Sequence, residues 1–403
     1  MMRFINKRGA MKRFMQHILV RTSLYLLLIF TPFLSSAQEA VPVFTSGSNG
    51  FKNFRIPAIV KLDNKNLLAF AEGRVNDAGD FGHIKLVMKK SNDGGKTWSD
   101  LQIVAENELL QAGNPAPVVD WLDPAYPKGR IFLFYNTGNN HEGEVRKGKG
   151  IREVWYKTSV DGGLTWSVAT NITTQVHRPK QPAYSAAYNF PDDWRSYANT
   201  PGHAMQFKAG KYKSRIFVAA NHSSGEPKAD FSDYQAHGFY TDDHGKTFHL
   251  SESITIGGSN EATAAEISGG RLIMNMRNQK GDIRSRIVAV SASGGQTWDT
   301  TYFDPQLPDP VCEGTILNIG YKNGKNILAF CNAADNQRRD HLTLRISFDE
   351  GKTWAVNKLV DESATGKGDF TAYSDIVDIG NKRIGVLYEQ DNYKRIVFKV
   401  MPW

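Results

Sequence analysis

From about residue 43 to Trp403 the chain alternates between short runs of β-branched and aromatic residues and clusters of Gly, Asn, Asp and Pro. Runs such as RIFLFYN (130–136), SRIFVAAN (214–221), RLIMNMR (271–277), NILAFCN (326–332), LTLRIS (342–347) and RIGVLYE (383–389) have the length and composition of strands. No stretch sustains the apolar period of an amphipathic helix. The pattern predicts an all-β fold. No linker or step in composition interrupts residues 43–403, so one domain is expected, occupying 38–403 after a distinct N-terminal segment.

An octapeptide recurs between these strands. SNDGGKTW at 91–98 returns as SVDGGLTW (159–166), TDDHGKTF (241–248), SASGGQTW (291–298) and SFDEGKTW (347–354), with starts 68, 82, 50 and 56 residues apart. Each copy follows a strand-like segment, for example IKLVMKK before the first. Its chemistry is that of a stapled turn: Asp accepts hydrogen bonds from amides just ahead of it, Gly admits positive φ, and Trp anchors the hairpin in apolar packing. Such intervals match propeller blades of four strands each. Six blades over the 361 residues from 43 to 403 leave about 60 residues apiece, so a six-bladed β-propeller is expected, with one blade lacking the repeat.

The N-terminus changes the charge picture. Residues 1–37 hold Arg3, Lys7, Arg8, Lys12, Arg13 and Arg21, no acidic residue, and then SLYLLLIFTPFL at 23–34. The apolar run is shorter than the roughly 20 residues a membrane span needs. With Ser35 and Ala37 supplying small residues, it reads as a secretory signal peptide cleaved after Ala37, and the protein is expected to be exported, periplasmic or secreted. Without those six basic residues the formal charge falls from +8 to +2, which removes any electrostatic case for nucleic acid as a partner. The two cysteines, Cys312 and Cys331, allow either a disulfide or buried thiols. The ten histidines show no H-E-x-x-H spacing, and no metal or cofactor is expected.

The octapeptides resemble the Asp-box of the sialidase superfamily; the fourth copy departs from it with Ser293 in place of Asp, and the third with Phe248 in place of Trp. Further motifs resemble those of bacterial exo-α-sialidases (neuraminidases). FRIPAIV (54–60) is similar to the F/Y-R-I-P motif whose arginine, here Arg55, begins a trio that grips the sialic-acid carboxylate. AFAEGRVNDAGDFGH (69–83) resembles the segment carrying the general acid/base aspartate. That resemblance implies Asp80 for the role, with Asp77 as rival, and Arg74 lining the pocket beside Glu72. GSNEATAAEISGGRLIMNMRNQ (258–279) implies Glu261 as partner of the nucleophile, with Glu266 as rival, and Arg277 as the second carboxylate-binding arginine. NQRRDHLTLRIS (336–347) implies Arg339 as the third, with Arg338 close enough to compete. GDFTAYSDIV (368–377) implies Tyr373 as the nucleophile.

The chemistry fits these residue types. Three guanidiniums can hold a planar carboxylate through bidentate, charge-assisted contacts. A neutral tyrosine can approach an anomeric centre that already bears that carboxylate, and sialidases are the recognised exception in using Tyr as nucleophile. Glu261 would take the phenolic proton, neighbouring arginines would favour the phenolate, and Asp80 would protonate the leaving oxygen and later activate water. The resemblance therefore implies hydrolysis of terminal α-linked sialic acids from glycoproteins, glycolipids and oligosaccharides, with retention, by a protein expected to be monomeric. The alternatives are a trans-sialidase, which would share every catalytic residue, and a non-catalytic sialoglycan-binding propeller, which would not need Asp80, Glu261 and Tyr373 together.

Overall fold

The computed structural model describes residues 39–403; the expected signal segment, 1–37, lies outside the described residues. The chain is an all-β propeller. Its strands form five hydrogen-bonded sheets, and sequence neighbours pair antiparallel in each. Ser259–Ile267, Arg271–Asn278, Ser285–Ser291 and Thr300–Pro308 make one, and Gly314–Lys322, Lys325–Ala333, Leu342–Ser347 and Val356–Asp361 another. A third begins at Trp194–Asn199 and continues through Ile216–Ser224, Tyr234–Thr241 and His249–Leu250. An eight-stranded sheet covers Asn53–Lys61 to Thr170–Asn171, and its two antiparallel halves meet at a single parallel bridge, Ile84 to Gln111. The last sheet runs Thr371–Asp378, Arg383–Gln390, Arg395–Pro402 and then Val41–Thr45, so the first described strand pairs with the last.

All six quoted apolar runs fall on strands, shifted by at most two or three residues at their ends. Their apolar residues are buried almost without interruption because both faces of each sheet pack on a neighbour. The innermost strands are tied to one another around the axis. Asp375 Oδ2 accepts from Ile59 N at 2.8 Å, Thr263 Oγ1 from Ile316 N at 2.9 Å, and Pro117 O from Ala204 N at 2.9 Å.

Every octapeptide joins the third strand of its set to the fourth. In the first, Ser91 Oγ accepts from Gly95 N (2.8 Å), and Asp93 accepts from the amides of Lys96 and Thr97 (3.0 Å each) and the Thr97 hydroxyl (2.6 Å). Those donors, the Thr97 hydroxyl first, hold the Asp93 carboxyl down to about 2. Gly95 sits at φ +89° with its Cα against the Phe398 ring, where an added Cβ would come within 2.1 Å. Trp98 meets that same ring edge-on at 5.6 Å. The turn thus clamps one sheet to the outer strands of the next. In the last sheet the third strand's outer neighbour, Val41–Thr45, comes from the other end of the chain, so no hairpin exists there to staple. Cys312 and Cys331 are buried free thiols, not a disulfide.

Candidate active site

A cup of about 380 Å³ opens at one end of the axis, where the innermost strands begin. Five of those strands carry a register irregularity at that end: Arg55/Ala58, Gly113/Ala116, Trp194/Tyr197, Ser259/Ala262 and Thr371/Ser374. Bulges break the in-and-out alternation and re-aim side chains. Arg55, Glu261 and Tyr373 all sit at or within these irregularities, which turns them from the sheet faces toward the axis.

Tyr373 is 6 % exposed. Its hydroxyl donates to Glu261 Oε1 at 2.5 Å, and Arg277 Nη1 reaches both partners, at 2.8 Å from the phenol oxygen and 2.6 Å from Glu261 Oε2. Burial, and then the Glu261 charge, push the phenol well above its ordinary value; the pull of Arg277 and Arg339 is smaller. The arginines act in the direction read from the sequence, but they are outweighed, and the phenol is held neutral.

Arg55 extends across the cup floor with Nε donating to Glu389 Oε1 at 2.6 Å, and its guanidinium lies 4.0 Å over the Tyr393 ring. Glu389 Oε1 also accepts from Ile56 N (2.9 Å) and Oε2 from Tyr373 N (3.2 Å). It therefore fixes the carboxylate-gripping arginine and the tyrosine from one buried carboxylate. It also holds Ile56 at φ 59°, a strained value for a β-branched residue. Arg339 Nη1 donates to Tyr393 Oη at 3.2 Å and Nη2 to Val311 O at 3.2 Å, and its guanidinium lies 5.4 Å from the Tyr373 ring centroid. Arg55, Arg277 and Arg339 all line the cup.

Asp80 stands on the loop after Leu67–Arg74 at the cup's mouth, its side chain 72 % exposed, and accepts from Arg74 Nη1 at 2.8 Å. Arg74 is otherwise consumed by Glu72 (2.7 Å) and the Ala78 carbonyl (2.5 Å), so it shapes the acidic loop while lining the wall. Desolvation by the surrounding loop pulls the Asp80 carboxyl upward, yet the charges of Arg74, Arg55 and Arg339 together hold it below the ordinary value.

The three rivals lie elsewhere. Asp77 Oδ1 caps Gly79 N at 2.7 Å within the turn. Arg338 donates to the Gly366 carbonyl and pairs with Asp340 at 3.4 Å. Glu266 accepts from Lys208 N at 2.8 Å and lines a separate, largely apolar cavity at the strands' other end. Glu389 and Tyr393 went unremarked in the sequence; a glutamate closing the apolar run RIGVLYE was the available signal. One carboxylate–imidazole cluster with metal-like spacing, Asp120, Asp123 and His244, occurs among the described residues, at the far end of Gln111–Asp120. Its carboxylates are already occupied by His244 Nδ1, Gln206 and Arg130.

Comparisons with known proteins show the family of the chain. The family model of the BNR repeat-like domain matches residues 65–386. The chain belongs to the Asp-box sialidase family. It is 30 % identical over 366 residues to a sialidase of Micromonospora viridifaciens, covering 85 % of this chain and 51 % of that protein. It is 29 % identical over 380 residues to a sialidase of Bacteroides fragilis, covering 87 % of this chain and 62 % of that one. The chain thus spans about half to three-fifths of these family members' lengths. The structure of a Hadza microbial sialidase superposes with a TM-score of 0.73 at 23 % identity, over 91 % of this chain and 68 % of that one, a match in fold.

Proposed function

We propose that this protein is an exo-α-sialidase that hydrolyses terminal α-linked sialic acids of glycoproteins, glycolipids and oligosaccharides with retention through a tyrosyl–enzyme intermediate. The observation that carries the reading is the Tyr373–Glu261–Arg277 contact set, a buried neutral phenol in line with a proton acceptor and facing a cup with three guanidiniums. Family membership and the names of the relatives support the substrate class. We also count the two halves of the eight-stranded sheet as separate blades, which makes the propeller six-bladed.

In the first half-reaction the substrate carboxylate lies on Arg55, Arg277 and Arg339. The Tyr373 oxygen attacks the anomeric carbon while its proton passes to Glu261 Oε1. The bond from the anomeric carbon to the glycosidic oxygen breaks, and Asp80 gives that oxygen a proton. In the second, water attacks the anomeric carbon and gives its proton to Asp80. The tyrosyl bond breaks, and Glu261 returns the proton to Tyr373. The carboxylate supplies another element: by neutralising Arg55 and Arg339, two of the three arginines that depress Asp80, it raises that acid toward the protonated form the reaction requires, while Arg74 keeps its hold.

The test is release of 4-methylumbelliferone from its α-sialoside, with proton NMR of the sugar at early times and a parallel run in excess lactose. First appearance of the α anomer supports retention; first appearance of the β anomer sinks it. A sialylated lactose as the main product would move the reading to a trans-sialidase, and binding without release to a lectin.

A further inference from the structure

The cup has a wall that the reaction leaves unused. The arginines that hold the carboxylate come from the sheets of Arg271–Asn278 and Leu342–Ser347, with Arg55 leaning on the sheet of Arg383–Gln390. Across the axis stand the strands from Gln111 to Ser159 and from Trp194 to Thr241, and there the lining is mainly polar, with Gln111, Asn114, Glu142 and Asn221 and only Ala198 and Phe231 as apolar neighbours. In their midst is Arg152.

Arg152 belongs to the third strand out from the axis, and its arrival in the cup depends on one missing side chain. Arg152 pairs in register with Gly138, and Gly138 with Gln111 of the innermost strand, so the three residues form one row on one face of the sheet. Two strand spacings, roughly 10 Å, separate its ends. The arginine side chain lies flat over Gly138 and Nη1 donates to Gln111 Oε1. A Cβ at Gly138 would come within 2.4 Å of Nη1 and 3.0 Å of Gln111 Oε1. The row works only with glycine in the middle.

The guanidinium delivered this way is short of partners. Arg152 is 5 % exposed, and Gln111 is its one side-chain acceptor among the described residues. Glu142, Glu72 and Asp80 act on it only through space, and burial lowers its proton affinity. Arg146, next along the same wall, is instead paired with Asp233 at 2.8 Å. A buried cation left without an anion and with donors facing a cavity is costly unless a ligand supplies acceptors.

We infer that Arg152, carried over Gly138, reads the acyl arm of the bound sugar and makes the cup selective for N-glycolyl over N-acetyl sialic acid. This rests on the sialidase reading. In the sialic-acid ring the acylamino group stands across from the anomeric carbon that bears the carboxylate. Anchoring that carboxylate on the three arginines points the acyl group at the opposite wall. A glycolyl hydroxyl offers Arg152 an oxygen, whereas an acetyl methyl covers its free donors and gives nothing back.

The experiment compares kcat/KM for the 4-methylumbelliferyl α-glycosides of the N-glycolyl and N-acetyl sugars in wild type, Arg152→Met and Gly138→Ala, with thermal melts to verify folding. Wild type should favour the N-glycolyl substrate by about tenfold or more, the scale of one hydrogen bond to a charged group. Both variants should bring the ratio near one, chiefly by raising KM for the N-glycolyl substrate; Gly138→Ala does so with the arginine retained. A wild-type ratio at or below one, or a ratio unmoved in the variants, overturns the inference. If neither glycoside is turned over, the enzymatic reading fails separately. Calorimetric titration of the two free sugars then decides this one by the same ratio, now of dissociation constants.

Discussion

Tyr373 and Glu261, 112 residues apart in the chain, share a 2.5 Å hydrogen bond, and Arg277 Nη1 donates to both partners. Glu261→Gln keeps the shape but cannot take the proton, and kcat should fall by about 10²–10⁴-fold, the usual worth of a positioned base. Tyr373→Phe should cost at least as much. Because the pair acts as one unit, the double variant should fall little below the worse single variant. Initial rates with the fluorogenic sialoside measure all three; full activity in Tyr373→Phe would remove it from the chemistry.

Asp80 should report substrate binding through its pH dependence. In the free protein the arginine charges hold its pKa below the ordinary value against desolvation, and kcat/KM, which reads the free form, should decline with rising pH from a low starting point. In the complex the bound carboxylate offsets the Arg55 and Arg339 part of those charges, so the alkaline limb of kcat should lie at higher pH than that of kcat/KM. Profiles measured with sialyllactose test this. Asp80→Asn should lose about 10²–10⁴-fold there and much less with the methylumbelliferyl glycoside, whose leaving group needs little help from an acid. Coincident limbs would contradict the mechanism.

A buried imidazole cluster should make the fold sensitive to mild acid. His222 Nδ1 lies 3.1 Å from His237 Nδ1, His222 stacks on Trp194 at 3.5 Å, and His177 packs on Tyr197 at 4.6 Å. Burial drives all three below the ordinary histidine value, His237 to about 3. Above the unfolded value near 6.5 both states are neutral and stability is flat. As pH falls below it only the unfolded chain takes up protons, so stability drops, by up to ~1.4 kcal/mol per pH unit for each histidine, until the folded values are reached. Urea midpoints between pH 7 and 4 should decline, and His237→Gln should flatten the slope by one proton. The repeat aspartates, near 2 in Asp93 and Asp161, act only at lower pH.

The fourth turn offers a gain in stability. Ser293 Oγ accepts from Thr297 N at 2.8 Å and meets Thr297 Oγ1 at 2.9 Å and Ser291 Oγ at 3.1 Å, so one neutral oxygen stands where the other copies place the two charged oxygens of an aspartate. Ser293→Asp should add ~0.5–1 kcal/mol and raise Tm, while Asp93→Ser should cost a similar amount. A lower Tm for Ser293→Asp would show that this turn has settled into another geometry.

Much of this architecture was legible beforehand because it is local. Strand runs such as LTLRIS, the five turns and, in four of them, the Asp–Thr spacing all lie within a few residues, where burial pattern and turn chemistry write directly into sequence. Motif resemblance named Arg55, Arg74, Asp80, Glu261, Arg277, Arg339 and Tyr373, and the fold brings all seven to one cup. Glu389 escaped notice because a glutamate at a strand end has no meaning until its two oxygens are seen on Arg55, Ile56 and Tyr373. The separation of Asp80 from Asp77, and of Arg339 from Arg338, likewise depended on which way a loop turned.

By itself the sequence determined the all-β character, the stapled turns and the order in which the chemistry-bearing residues occur, since each follows from composition and spacing along the chain. Tertiary structure alone decided that Val41–Thr45 closes the last sheet, that bulges swing Glu261 and Tyr373 into contact, and that Arg152 crosses Gly138 to reach the cup. Those relations join strands from distant parts of the chain, and their register is set by packing around a common axis.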